Sequence, residues 1–187
     1  MKRLHLVTEG HGDVEAAPEL AMRVLVHLGR HTRWSITKRS SRLPKGKLVD
    51  ERTGAAKAEG LQLAVAFATS QRAAALLVLV DADDHCPARF GPTATKLLAP
   101  RVPASAVMAV REFETWLALA HTDSPTKKVE SKHDAKALLR AMQPDYKPSV
   151  HQQRLAKAVD VEHLLARGSD SFAKFCREID RLTRASR

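Results

Sequence analysis

Leu77-Val78-Leu79-Val80-Asp81-Ala82-Asp83-Asp84 decides the reading of this chain. Four apolar residues in a row read as a buried strand, and three carboxylates crowd the next four positions. In parallel α/β sheets the working loops lie at the carboxyl ends of the strands. Side chains alternate along a strand, so Asp81 and Asp83 are expected to project to the same side. Two carboxylates aimed at one point repel unless a cation or a proton lies between them. Hard oxygen donors on an open loop suit Mg²⁺ or Mn²⁺ better than zinc. The alternative is structural: the same aspartates cap a turn and the helix after it.

A second acidic loop, at the other end of the chain, bears on that choice. Leu4 to Thr8 reads as a first strand and is followed by Glu9-Gly10-His11-Gly12-Asp13. The two glycines permit a tight hand-over from strand to helix. Asp13 is a candidate N-cap for a helix over residues 14–29. If the two strands are neighbours, Glu9 and the Asp81/Asp83 pair line one crevice.

The rest of the first 121 residues fits an α/β alternation. Leu20, Val24, Leu25 and Leu28 recur at helical spacing, and Gly29 is a stop signal. Residues 32–37 read as a short edge strand. Residues 54–72 form an alanine-rich amphipathic helix that feeds the central strand. A short helix over 92–98 and an apolar strand over 105–110 follow. Arg111-Glu112 then leads into a helix marked by Phe113, Trp116, Leu117 and Leu119. Glu112 at that strand end is a candidate to extend the metal cluster. Glu112 and Glu114 also fit as acids favoured by a helix N-terminus. Residues 122–132 read as a polar linker, and helices are expected over 133–142, 149–159 and 171–183.

Three elements in this combination, Thr8-Glu9-Gly10 with Asp13, Val80-Asp81-Ala82-Asp83-Asp84, and Arg111-Glu112-Phe113-Glu114-Thr115-Trp116-Leu117, together with Ser171-Phe172 near the end, resemble a known family. The chain resembles the Toprim fold of topoisomerases, primases and OLD-type nucleases, and most of all the bacterial Toprim-like DUF4276 family. The resemblance implies a Rossmann-like, mostly parallel sheet flanked by helices over residues 1–121, with a C-terminal helical extension over 122–187 packed on it. It implies that Glu9 is a general acid/base or metal ligand and that Asp81 and Asp83 bind Mg²⁺. Asp13 stands where the nuclease branch often carries a further carboxylate. It also implies a bacterial defence or mobile-element setting, with an ATPase as a possible partner protein.

Composition narrows the function classes. The formal net charge is +10, and surplus Lys and Arg attract phosphate backbones without reading sequence. The alternative is a general solubility device. Residues 38–47 hold five of the cations, Lys38, Arg39, Arg42, Lys45 and Lys47, among Gly, Pro and Ser. They are expected to form a mobile loop that clamps a nucleic-acid backbone, or else a solvated connection. No apolar run approaches the roughly 18 residues of a membrane span, and no signal peptide is visible. Cys86 and Cys176 form no metal or disulfide pattern, so a reducing cytoplasm fits. Cys86 is expected to be a small buried packing residue. His85 reads as a loop histidine that could also ligate a metal, and Lys147 as a turn cation.

The leading expectation is a Mg²⁺- or Mn²⁺-dependent nuclease, or a related phosphodiester-processing enzyme. Asp81 and Asp83 would hold the metal, Asp13 or Glu112 would assist, and Glu9 would act as base. The alternative is a non-catalytic Toprim-like module that binds nucleic acid or a partner. Transfer of phosphate to a small molecule is less favoured, because no Walker-type glycine loop is present.

Overall fold

A computed structural model describes residues 1–98, 102–131 and 135–184. The expected helix start at His133 and the linker end at Lys132 lie outside them. Five parallel strands form one sheet. Strand β1 (Lys2–Thr8) lies beside β4 (Ala75–Asp81), with Leu4 opposite Ala75 and Thr8 opposite Leu79. Strand β5 (Ala104–Ala109) pairs with the far side of β4 and places Ala109 opposite Asp81. The other edge of β1 is shared by two short strands. Strand β2 (Trp34–Ile36) pairs with its first half and β3 (Ser41–Arg42) with its end. The continuous apolar character of β1 and β4 follows from burial on both faces, as parallel sheets require.

Alternation along the strands divides two cores. Leu4, Leu6, Leu77 and Leu79 point to one face, with Val107. They pack under helix α1 (Asp13–His27) and helix α5 (Phe113–His121). Val7, Leu76, Val78 and Val80 point to the other face, with Met108. These meet α3 (Ala58–Ser70) and α4 (Pro87–Leu98), while Leu48 of the short helix α2 (Lys45–Leu48) joins them.

The C-terminal helices belong to the first core. They are α6 (Thr126–Ser131), α7 (Ala135–Met142), α8 (Pro148–Lys157), α9 (Val161–Ala166) and α10 (Asp170–Thr183). Tyr146, Leu155, Phe172, Phe175 and Ile179 are buried with the leucines of the sheet. Trp116 stands at the middle of an aromatic group, 5.6 Å from Phe172 and 5.1 Å from Phe175.

Several sequence expectations change. Residues 38–47 are not one open loop: Ser41–Arg42 joins the sheet, and Lys45 begins α2. Leu43 and Leu48 anchor the stretch in the core, an apolar signal that its cations mask. The expected linker contains α6, held by the fully buried Val129, and α9 lies where no helix was expected. Among the described residues no helix is long and apolar enough to cross a membrane.

Candidate functional site

The carboxyl ends of β1 and β4 and the start of α1 bring three acids together. Glu9 follows β1, and its Oε2 accepts the peptide N–H of Asp81 at 3.3 Å. Asp81 ends β4, and its Oδ1 accepts the peptide N–H of Phe113 at 2.7 Å. Asp13 is the first residue of α1, with Gly12 rather than Asp13 in the capping position. Its side chain folds back, and Oδ2 accepts the peptide N–H of Gly10 at 3.2 Å. Each acid therefore commits one oxygen to a backbone donor, which fixes its direction. None of the three has an ion pair among the described residues.

These acids line an open cleft of about 410 Å³, closed on one side by Glu114 and Lys136 and roofed by Pro148, Ser149 and Gln152 of α8. Glu114 is buried because α5 is enclosed on every side from Phe113 to Leu119. Lys136, from α7, reaches Oε2 of Glu112 and stands 3.4 Å from Oε1 of Glu114. Gln152 is buried and its Oε1 has no hydrogen-bond partner among the described residues. Gly12 makes room for it, since a Cβ there would lie 2.0 Å from that oxygen.

Burial and mutual repulsion govern the charge of the cluster. Desolvation raises the Asp13 carboxyl to about 6, and the charge of Glu9 adds to the rise. Asp81 keeps part of its surface open to the cleft, yet protein surrounds it on most sides. Burial raises its pKa well above the usual range, with further push from Asp13, Glu9 and Glu114. Glu9 is raised by burial against the pull of Lys45. Burial raises Glu114 to about 7, although Lys136 opposes it. Lys136 itself is raised: burial works against its charge, but Glu112 and Glu114 outweigh that.

The structure separates the residues expected to act as a pair. Asp83 has left the strand with φ of +46°, so strand alternation no longer applies to it. It is exposed and paired with Lys45. A backbone bridge to Arg111 holds this turn, with the Asp83 N–H donating to the Arg111 carbonyl at 2.8 Å. Asp84 is paired with Arg111. Glu112 is buried and paired with Lys136. Among the described residues no three His, Cys, Asp or Glu side chains stand close enough to hold a metal ion as they are.

The five cations of residues 38–47 disperse. The Arg42 guanidinium donates to the Glu9 carbonyl at 3.0 Å, and Lys45 meets Asp83, so both stand at the rim of the acidic cleft. Lys47 pairs with Glu59 at 3.3 Å. Lys38 and Arg39 line a separate cleft with Glu15 and Glu19. His85 packs against Gly54, and Lys147 is exposed. Cys86 is exposed rather than buried, because the turn after Asp84 carries it to the surface.

Sequence reasoning missed Lys136 and Gln152 and undervalued Glu114. The signals were present but faint. Gln152 shares a helical stripe with the buried Leu155 and Ala156, and Glu114 interrupts the otherwise apolar face of α5.

Fold and site define an α/β protein with a helix-flanked parallel sheet and a carboxylate-lined cleft at the carboxyl edge of its strands. No family model matches the chain, and no curated protein or solved structure matches it.

Proposed function

We propose that this protein is a divalent-metal-dependent enzyme that processes phosphodiesters, with nucleic acid as its substrate. The observation that carries the reading is the convergence of Glu9, Asp13 and Asp81 on one cleft, each oriented by a peptide N–H and none neutralised by an ion pair among the described residues. In its chemistry the donor set suits a hard cation once the three acids draw closer: every candidate atom is an oxygen. A divalent ion offsets both the burial that raises all three pKa values and the like charge that adds to it at Asp13 and Asp81. When bound, Mg²⁺ or Mn²⁺ polarises a phosphoryl oxygen and lowers the pKa of its water. Asp13 and Asp81 would hold the ion. Glu9, raised above an ordinary glutamate, keeps a proton nearer to neutral pH and suits general acid–base work. Arg42 and Lys45 at the rim, and the net charge of +10, favour a polyanionic substrate.

The test is a Mn²⁺-supported cleavage screen on single- and double-stranded DNA and RNA, with Asp81→Asn as control. Cleavage that needs the metal and is lost in the variant is the expected result. Wild-type protein that neither binds Mn²⁺ nor cleaves any substrate would sink the reading.

A second reading has its own support. Lys45 and Lys136 already neutralise acids on both flanks of the cleft, as in a module that binds without catalysis. Such a module would bind nucleic acid with an affinity that survives chelation by EDTA.

A further inference from the structure

We infer that a basic pocket at the amino ends of β1 and β2, at the opposite end of the sheet from the acidic cleft, seats a backbone phosphate of a nucleic acid. No metal and no residue of the acidic cleft takes part. This site shares only its class of partner with the reading above, so the two can fail separately.

The pocket has a volume of about 460 Å³, and Lys2, Arg30, Thr32, Arg33 and Trp34 lie on its wall. Local backbone gathers its cations. Gly29 turns the chain after α1 with φ of +65°, and the Arg30 N–H donates to the Leu25 carbonyl at 2.8 Å. The Arg30 carbonyl accepts the N–H groups of Arg33 and Trp34 at 3.0 Å, and the Arg33 carbonyl accepts the Lys2 N–H at 2.9 Å. Three cations are thereby fixed around one hollow. Asp180 answers Arg30 at 3.2 Å but is shared with Arg184. Lys2 and Arg33 have no ion pair among the described residues. Positive charge so concentrated attracts a polyanion.

A second observation points to a ligand with acceptor oxygens. The Nε of Arg30 is buried and has no hydrogen-bond partner among the described residues. A buried donor without an acceptor is costly unless something satisfies it. Phosphate oxygens match the guanidinium fork in both charge and spacing.

The aromatic of the wall argues for a backbone phosphate over a nucleotide. Trp34 is only 5% exposed, and Lys2 Nζ lies over its ring at 5.8 Å, so its face is closed to a base. What is left reads phosphate and no sequence. The register also suits a long ligand. Trp34 lies opposite Lys2 and Arg42 opposite Thr8, so six residues of β1, about 20 Å, separate this pocket from the cationic rim of the cleft. A duplex covers that distance in about six base pairs, at roughly 3.4 Å each.

The experiment measures binding of a 20-base-pair duplex to the full chain by fluorescence anisotropy, in EDTA and at several salt concentrations. Circular dichroism confirms that each variant is folded. The double variant Lys2→Gln, Arg33→Gln is expected to bind at least tenfold more weakly near 0.1 M salt and to lower the slope of log affinity against log salt by about 1.8. Thr32→Glu, which sets a carboxylate on the pocket wall, is expected to weaken binding as well. Lys127→Gln, Lys128→Gln removes the same charge from exposed positions on α6 and is expected to cost threefold or less. Equal losses in the two double variants, a pocket variant with the wild-type slope, or a wild type that does not bind duplex in EDTA would each overturn the inference. So would calorimetric titration in which orthophosphate binds wild type and not the pocket variant while duplex affinity is unmoved, since the pocket would then serve a free anion. Absence of Mn²⁺-supported cleavage would remove the catalytic reading and leave this site standing.

Discussion

The carboxyl of Asp81 accepts the peptide N–H of Phe113 at 2.7 Å, so the last residue of β4 fastens the start of α5. One side chain thus does two things: it closes a helix terminus and it places a charge in the cleft. Substitutions separate them. Asp81→Asn keeps an oxygen for the Phe113 N–H and loses the charge, so the fold should persist and, without metal at pH 8, stability should rise as the cost of burying that charge, and its repulsion from Asp13 and Glu9, is relieved. Asp81→Ala leaves the N–H without its acceptor and should cost about 1–3 kcal/mol. Urea unfolding of both variants checks this; equal stabilities would show that the hydrogen bond contributes nothing.

The raised acids set a pH dependence. Asp13 moves from 3.8 to about 6 and Glu114 from 4.5 to about 7, so the folded chain holds protons that the unfolded chain has released. Stability from such groups is present below the unfolded pKa and is lost as pH rises through the folded one. For Asp13 alone this is on the order of 3 kcal/mol, most of it lost between its unfolded 3.8 and folded value of about 6. The loss above pH 6 comes mainly from Glu114, raised to about 7. Metal-free protein should therefore become less stable from pH 6 to pH 8, and Mg²⁺ should raise the melting temperature more at pH 8 than at pH 6. A flat metal-free profile over that range would contradict it.

How much of this was legible in the sequence depended on how local each signal was. Glu9, Asp13 and Asp81 stood out because each lies at a strand end or helix start, where chain order alone predicts exposure to a cleft. Asp83 misled because alternation was extended two residues past the strand; its positive φ goes with the backbone bridge to Arg111, 28 residues away. Lys136 and Gln152 come from helices whose place over the cleft depends on packing against α1 and α5, which no spacing in the sequence encodes. The two-faced core was readable, since the apolar runs of β1 and β4 demanded cover on both sides.

His5 gives an opposite pH signal. It is fully buried in β1; Thr37 Oγ1 donates to the Arg39 carbonyl at 3.2 Å and so accepts from His5 Nδ1 at 2.8 Å. Nε2 is then bare and accepts from Ser41 Oγ at 3.0 Å. Burial lowers the pKa from 6.5 to about 4, so stability is full above 6.5 and is lost as pH falls toward 4. The loss is on the order of 3 kcal/mol. Because the raised acids act in the other direction, the measure is the stability difference between wild type and His5→Gln, which should shrink from pH 7 to pH 4.5. A constant difference would mean that His5 does not stay neutral.

Two glycines rank the contacts that hold the site. At Gly60 a Cβ would lie 2.0 Å from the Lys47 carbonyl oxygen and 2.6 Å from its carbon, and backbone cannot swing away. Gly60→Ala should push α2 off α3 and cost about 3 kcal/mol. At Gly12 the first obstacle is the Gln152 side chain, with the Pro148 backbone carbon at 3.1 Å, so Gly12→Ala should cost about 1–2 kcal/mol. Its more telling effect would be on the cleft, since Gln152 must move. Thermal unfolding should rank Gly60→Ala as the worse of the two; the reverse order would place the tighter packing at α8 instead.

The dispersal of residues 38–47 predicts which cations meet a phosphate backbone. Arg42 and Lys45 stand at the rim of the acidic cleft, whereas Lys47 is engaged with Glu59 and Lys38 and Arg39 face Glu15 and Glu19 in another cleft. A phosphate contact releases a counterion, so each one lost flattens the dependence of log affinity on log salt by about 0.7–0.9. The double variant Arg42→Ala, Lys45→Ala should therefore bind duplex DNA more weakly and lower the slope by about 1.8. Lys38→Ala, Arg39→Ala should leave the slope near its wild-type value, although it removes the same charge. Fluorescence anisotropy at several salt concentrations distinguishes a local contact from a general effect of net charge. Equal losses in the two double variants would make the attraction a property of the whole basic surface, with no track across the cleft.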